Sequence, residues 1–241
     1  MKSIVGYLSD QGKYRKKNQD RIFYRFNHSG KEAFVIACIC DGIGSMEHSE
    51  IASEFVVQAL EEWYEWIIKR EKSTNFEDEL VEELDNTIRE ANELIYIWAK
   101  EKQVPIGCTM STLLVTPHRY YTFHVGDSRI GCLRDELSIL TRDEVNLSMD
   151  NGRVRAKLAN FMGKGMELWL NHLQGDVCEN DVYLLGSDGF FHNLVSGELV
   201  KRMKKVRTNR QMQKLSEKLV NEVREAGERD NVSCILVKIF E

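Results

Sequence analysis

Three apolar runs in this sequence end on aspartate. FVIACICDGIG (34–44) leads into Asp41, YYTFHVGDSR (120–129) into Asp127, and YLLGSDGFF (183–191) into Asp188. Each acid stands beside small residues, Gly42, Gly126, Ser128 and Gly189, which let the backbone turn sharply and let a ligand come close. A fourth acid, Asp230 in ERDNVSCILVKI, precedes an apolar run instead of following one. If that last run is a strand antiparallel to the others, its start shares an edge with their ends, and the carboxylates converge. Crowded carboxylates repel, and they persist by protonation, by pairing with Arg or Lys, or by binding divalent cations. Hard oxygen ligands of this kind suit Mg²⁺ or Mn²⁺. Taken singly, an aspartate at a strand end is a turn residue serving its own loop; taken together with their neighbours, these acids read as a metal site.

The elements that must position them follow from apolar periodicity. Strands are expected near 3–9, 20–26 and 33–40, then two long helices. In 49–70, Ile51, Phe55, Leu60, Trp63 and Ile67 recur at steps near three or four. In 77–102, Leu80, Leu84, Ile88, Ala91, Ile95 and Trp98 do the same, until Pro105 and Gly107 break the pattern. Strands near 109–116, 119–125, 128–134 and 137–140 follow, with TPHR (116–119) as a tight turn. The charged stretch 141–175 reads as irregular. A strand at 181–186, helices near 196–205 and 209–226, and a strand at 232–240 complete the chain. Strands in adjacent groups and helices in pairs predict an α+β fold with mainly antiparallel sheets, not a doubly wound parallel sheet.

Composition narrows the function classes. The 241 residues are 42% apolar and 29% charged, with a formal net charge of −5. That balance disfavours nucleic-acid binding, which needs a dense basic patch. The one candidate patch, KRMKKVRTNR (201–210), reads as a solvated turn between helices. The six cysteines, at 38, 40, 108, 132, 178 and 234, form no CxxC pair. They read as buried, reduced thiols in a reducing compartment. The opening MKSIVGYLSDQG is too polar for a signal peptide, and no apolar run approaches a membrane span, so a cytoplasmic protein without membrane contact is expected. His124 reads as a hydrogen-bonded core residue or a surface-facing one. Trp63, Tyr64, Trp66 and Trp98 sit at helical spacing and read as packing.

The motifs, in order, resemble a known family. GDSR (126–129), SDG (187–189), DNVS (230–233), CDGIGSMEHSEIAS (40–53), SDQGKYRKKNQD (9–20) and IGCTMSTLLV (106–115) are similar to those of the metal-dependent protein Ser/Thr phosphatases, the type-2C or PPM family, and to its bacterial branch in particular. The likeness runs from residue 3 to 239 and implies one domain over 1–241. It implies two antiparallel sheets in a central sandwich flanked by pairs of antiparallel helices, with a binuclear Mn²⁺/Mg²⁺ centre at one end. Carried over by position, Asp41 bridges the two metals, the Gly42 carbonyl supports one, and Asp188 and Asp230 hold the other. Asp127 lies where some members hold a third, weaker ion, and Arg15 stands at the place of the arginine that grips substrate phosphate. The implied reaction is attack on phosphorus by a metal-activated water, without a covalent phosphoenzyme. The implied partners are a phosphoprotein and a Ser/Thr kinase acting on the same targets, and the implied state is a monomer.

Departures from the pattern are specific. Gln19 replaces the glutamate of the family's "NED" motif, although Asp20 keeps a carboxylate beside it. Ile43, Ser45 and Met46 alter the loop after Asp41, and His192 stands where an aspartate is usual after SDG. The segment 141–175 reads as a shortened flap, which leaves the centre more open. These departures keep a second reading in play: a pseudophosphatase that binds a phosphoprotein or kinase without hydrolysis.

Overall fold

Residues 34–40 are buried along their whole length, and the two faces of this strand belong to different cores. Phe34, Ile36, Cys38 and Cys40 face a helical layer, while Val35, Ala37 and Ile39 face a second sheet. Alternation with period two places successive side chains on opposite faces, so a strand covered on both sides reads as a continuous apolar run. This arrangement comes from a computed structural model of the chain, which describes residues 1–28, 30–70, 74–150, 153–195 and 197–240.

In chain order the elements are β1 (Lys2–Asp10), β2 (Arg21–Asn27), β3 (Phe34–Cys40), α1 (Ser49–Ile67), α2 (Phe76–Lys102), β4 (Met110–Val115), β5 (Arg119–Val125), β6 (Arg129–Leu133), β7 (Leu137–Ile139), β8 (Val145–Asp150), β9 (Arg153–Leu158), β10 (Asn171–Asp176), β11 (Val182–Gly186), α3 (Asp188–His192), α4 (Leu199–Lys204), α5 (Asn209–Glu225) and β12 (Val232–Phe240). One sheet has the order β1-β12-β11-β6-β7, the other β10-β5-β4-β3-β2. Every strand pairing in them is antiparallel.

The sheets pack through Val35, Ile39 and Leu113 against Ile130, Tyr183, Leu185 and Ile235. Helices α1 and α2 cover the outer face of the β3 sheet through Leu60, Trp63, Leu84, Ile88 and Ile95. Helices α3, α4 and α5 cover the other through Phe190, Met203, Met212, Leu219 and Val220. The result is the expected α+β sandwich, layered helix–sheet–sheet–helix.

Three local expectations change. The stretch 141–175, expected to be irregular, carries the β8–β9 hairpin and the edge strand β10. The SDG acid does not simply end a strand, because Asp188 opens the short helix α3. Part of the basic patch is helical, since α4 runs to Lys204, although its lysines and Arg207 remain exposed. The residue at 196, where that helix was expected to begin, lies outside the described residues.

Other expectations hold except at Cys178 and Trp66, which are exposed where burial was expected. Cys38, Cys40, Cys108, Cys132 and Cys234 are buried and free, while Cys178 is free but exposed. Trp63 packs in the core, Trp98 packs at its margin, and Trp66 lies on the surface. Among the described residues no helix is long and apolar enough to cross a membrane.

Candidate active site

Strand register explains why acids distant in sequence share one end of the sandwich. In one sheet Arg21 pairs with Cys40, so Asp20, just before β2, lies opposite Asp41, just after β3. In the other sheet Gly186 pairs with Cys234, so Asp188 after β11 and Asp230 before β12 leave from the same edge. The antiparallel start-meets-end arrangement thus delivers Asp20, Asp41, Asp188 and Asp230 to one rim. The acids are close enough to act on one another: Asp20, Asp188 and Asp230 all bear electrostatically on Asp41, and Asp230 bears on Asp20 and Asp188 as well.

Local hydrogen bonds hold each acid in place. The Asp41 backbone N–H donates to Thr109 Oγ1 (3.1 Å), and the Thr109 N–H donates back to the Asp41 carbonyl (2.8 Å). The Thr109 hydroxyl meets Ser128 Oγ at 2.6 Å, joining this support to the GDSR turn. Ser233 Oγ donates to Asp20 Oδ2 at 2.6 Å. The Asp230 carboxylate receives the Asn231 N–H on Oδ1 (2.8 Å). Gly42 has no room for a side chain, because a Cβ there would lie 2.7 Å from the Gln19 Cβ and 2.9 Å from the Gln19 carbonyl. Close approach is what fixes glycine at this position.

Arg15, on the loop between β1 and β2, donates from Nε to Asp230 Oδ1 (2.7 Å) and from its terminal nitrogen to Oδ2 (2.5 Å). Its guanidinium rests on Gly44, where a Cβ would stand 2.7 Å from the arginine nitrogen. Hydrogen bonding to Asp230 raises the Arg15 pKa further, with Asp41 and Asp188 adding to the effect.

The rim is electrostatically loaded. Burial, followed by the neighbouring charges, pushes Asp41 well above the usual carboxylate range. Burial also raises Asp20 to about 7 and raises Asp188. Asp127 rises to about 6, through burial and then the charge of Asp188. Among the described residues, no three histidine, cysteine or acidic side chains close on one point as a ready ligand set. Arg15 draws Asp230 to itself, while Asp41 sits against Asp20 and Asp188. Yet the donor set fits a hard cation. Asp20 Oδ1 and Asp188 Oδ1 are buried and lack any hydrogen-bond partner. Orphaned buried oxygens are costly, and a divalent cation satisfies them and offsets the repulsion together.

Several participants carry no role in the sequence reading above. Gln19 is buried, and its amide donates to the Met46 carbonyl (3.1 Å) and to Glu50 Oε2 (3.3 Å). Glu50 also takes Lys17 Nζ at 2.6 Å. An amide here serves two acceptors, which a glutamate would not. Ser233, Thr109 and Glu50 all fall inside the motifs quoted for the family, so the signal was present without an assigned role. His192 stands 4.0 Å from Asp188 Oδ2 and 3.5 Å from Glu228 Oε2. His124 is buried, with Nδ1 2.9 Å from Ser111 Oγ and Nε2 3.0 Å from the Arg142 carbonyl.

The fold and the rim together define a two-sheet sandwich protein with an acidic pole suited to divalent cations. The profile of the family described as protein phosphatase 2C matches residues 13–236. The protein phosphatase PhpP of Streptococcus pneumoniae serotype 2 is 26% identical over 251 residues, covering 98% of each chain. The serine/threonine protein phosphatase PstP of Mycobacterium tuberculosis is 26% identical over 255 residues, covering 97% of this chain and 44% of PstP. Among solved structures, the serine/threonine phosphatase Stp1 of Staphylococcus aureus superposes with a TM-score of 0.84 at 21% identity, covering 100% of this chain and 96% of Stp1. The PstP catalytic domain in complex with two manganese ions gives 0.76 at 23% identity, covering 100% of both chains. The chain belongs to the protein phosphatase 2C family. It is an enzyme, a protein phosphatase of a family that works with Mn²⁺ or Mg²⁺.

Proposed function

We propose that the chain hydrolyses phosphoserine and phosphothreonine in proteins, using two Mn²⁺ or Mg²⁺ ions held at the acid rim. The observation that carries this reading is the strand register that brings Asp20 opposite Asp41 and Asp188 beside Asp230, together with the orphaned oxygens of Asp20 and Asp188. In this reading Asp20, Asp41, the Gly42 carbonyl, Asp188 and Asp230 would hold the two ions, with Asp41 contributing to both and Asp127 beside them for a third. Bound there, the ions supply an activated water and offset the charge on the phosphoryl oxygens.

The chain's own residues contribute binding and orientation. Arg15, already held against Gly44, presents a planar fork that matches two phosphoryl oxygens as it now matches the Asp230 carboxylate. The Thr109–Ser128 hydroxyl pair fixes the strand end from which Asp41 projects. No side-chain nucleophile is required. Cys40, next to Asp41, is fully buried, and burial pushes its thiol well above the ordinary range, so it stays un-ionised.

The same reading includes a single domain over 1–241 with a shortened flap at 141–175, a cytoplasmic monomer, and a Ser/Thr kinase acting on the same targets. Its test is Mn²⁺-dependent release of phosphate from a phosphoserine peptide. Turnover that falls to background in Asp41→Asn is expected. Turnover that ignores the metal or survives Asp41→Asn would remove the proposal.

A further inference from the structure

The site lies beside a second hollow that no step of the proposed reaction uses. Arg15 stands in a cavity of about 370 Å³ that it shares with Lys16, Lys17, Gly44 and Met46. On the other side of Met46 is a cavity of about 390 Å³, floored by Val104, Pro105, Ile106 and Phe161 and walled by Tyr96 and Ala99. Met46 lines both, so the two hollows adjoin at one side chain.

That wall is anchored on both sides. The Met46 N–H donates to the Ile43 carbonyl (2.8 Å), and the Ile43 N–H donates to the Gly107 carbonyl (3.0 Å), next to the groove floor. The Gln19 amide holds the Met46 carbonyl from the side of the acid rim. The groove is therefore built from the loop that follows Asp41, and its position relative to Arg15 is set by backbone bonds.

Its chemistry differs from that of the rim. The floor and walls are mostly apolar, Lys100 and Lys164 stand among the lining residues, and no carboxylate lines it. In the neighbouring hollow Arg15 is paired with Asp230 and Lys17 with Glu50, while Lys16 and Glu47 also line it. A volume of this size, apolar with a few convergent polar groups, is what ligand-binding hollows present. An extended peptide advances about 3.3 Å per residue and sends alternate side chains to one face. A chain whose phosphate sits at Arg15 thus brings a nearby side chain over Met46.

We propose that this groove is the subsite for an aliphatic side chain of the phosphoprotein substrate, within three residues of the phosphorylated one, in an otherwise acidic segment. Met46 is the specificity-determining residue between phosphate and subsite. The proposal rests on the phosphatase reading above for the occupant of the Arg15 hollow. Adjacency to that hollow, and the presence of Lys100 and Lys164 with no carboxylate in the groove lining, select an acidic phosphopeptide as the partner.

The test walks one leucine through the three positions on each side of phosphoserine in an acidic peptide. Binding is read with non-hydrolysable phosphonate versions and turnover with the phosphopeptides, on the Mn²⁺-loaded protein. One position should tighten binding on the order of tenfold, a factor of the size that burying an aliphatic side chain gives. The gain should appear in KM and not in kcat. Ala99→Glu, which places a charge in the groove, should abolish the gain, and Ala99→Gln should reduce it. Both variants should hydrolyse a small aryl phosphate as the wild type does, which also reports that they are folded. Equal affinity at every leucine position, or a preference that survives Ala99→Glu, would overturn the subsite. Absence of aryl phosphate turnover in the wild type would instead overturn the phosphatase reading, while the phosphonate series still decides the groove.

Discussion

Arg15 and Asp230, 215 positions apart in sequence, are joined by two parallel bonds, Nε to Oδ1 at 2.7 Å and the terminal nitrogen to Oδ2 at 2.5 Å. One guanidinium therefore faces the acid rim with the fork geometry that a phosphoryl group also offers. Both partners are partly exposed, at 39% and 28% of their side chains, so the pair is reachable by substrate. A pair exposed to this degree contributes little net stability, and its value lies in orientation.

Arg15→Lys keeps the charge and loses the fork. Its kcat/KM on an aryl phosphate should fall by about 10- to 100-fold, the range for losing charge-assisted hydrogen bonds. Mn²⁺ affinity should not weaken, because lysine adds no charge at the rim. An unchanged kcat/KM would show that Arg15 only braces Asp230.

Gly42→Ala should destabilise the protein by about 1–3 kcal/mol, the usual cost of forcing a methyl into filled space. Its Cβ would meet the Gln19 Cβ at 2.7 Å and the Gln19 carbonyl at 2.9 Å, with the Ser49 carbonyl carbon at 3.1 Å. Thermal unfolding reads this as a Tm lowered by several degrees. A Tm equal to that of the wild type would mean that the loop after β3 yields freely.

Gln19→Glu restores the family's residue and should nonetheless destabilise the metal-free protein. The amide's bonds to the Met46 carbonyl and Glu50 would be replaced by two acceptor–acceptor contacts, one of them between like charges. Melting curves in chelator should show the loss, and added Mn²⁺ should raise the variant's Tm by more than it raises the wild type's. Equal Tm values in chelator would contradict the assigned role of the amide.

The rim also sets a pH dependence. Asp20 has a folded pKa of about 7, raised chiefly by burial from its ordinary 3.8. Between these values the folded state holds a proton that the unfolded state has released, so stability falls as pH rises. Its contribution is fully present below about pH 4 and is lost as pH climbs through 7. In chelator, Asp20→Asn should flatten that decline in a pH series of denaturant midpoints. A decline of the same slope in the variant would place the titrating group elsewhere.

Much of this is legible in the sequence itself. β3 and β12 are covered on both faces, so β3 reads as an unbroken apolar run and β12 as one interrupted only by Ser233 and Lys238, and α1 and α2 carry one apolar stripe each, so their periods identify them. Asp41, Asp188 and Asp230 stand out because an apolar run stops on each or starts just after it. The β8–β9 hairpin is not legible because Leu147 and Met149 are as exposed as Asn146 and Ser148 on the opposite face, so no buried face imposes a period. β10 is an edge strand whose residues are nearly all exposed, with the same effect. The helix opening at Asp188 is too short to show helical periodicity. The Gln19–Glu50 contact joins a loop to α1 across 31 positions, a pairing set by tertiary packing.

The central claim, that the acids gathered at this rim bind the ions that work on phosphate, is tested most directly by calorimetric titration of the metal-free protein with Mn²⁺. Two sites should appear in the wild type and both should weaken in Asp41→Asn, because that carboxylate is assigned to both ions. A wild type that takes up no Mn²⁺, or an Asp41→Asn variant that binds it unchanged, would contradict the claim.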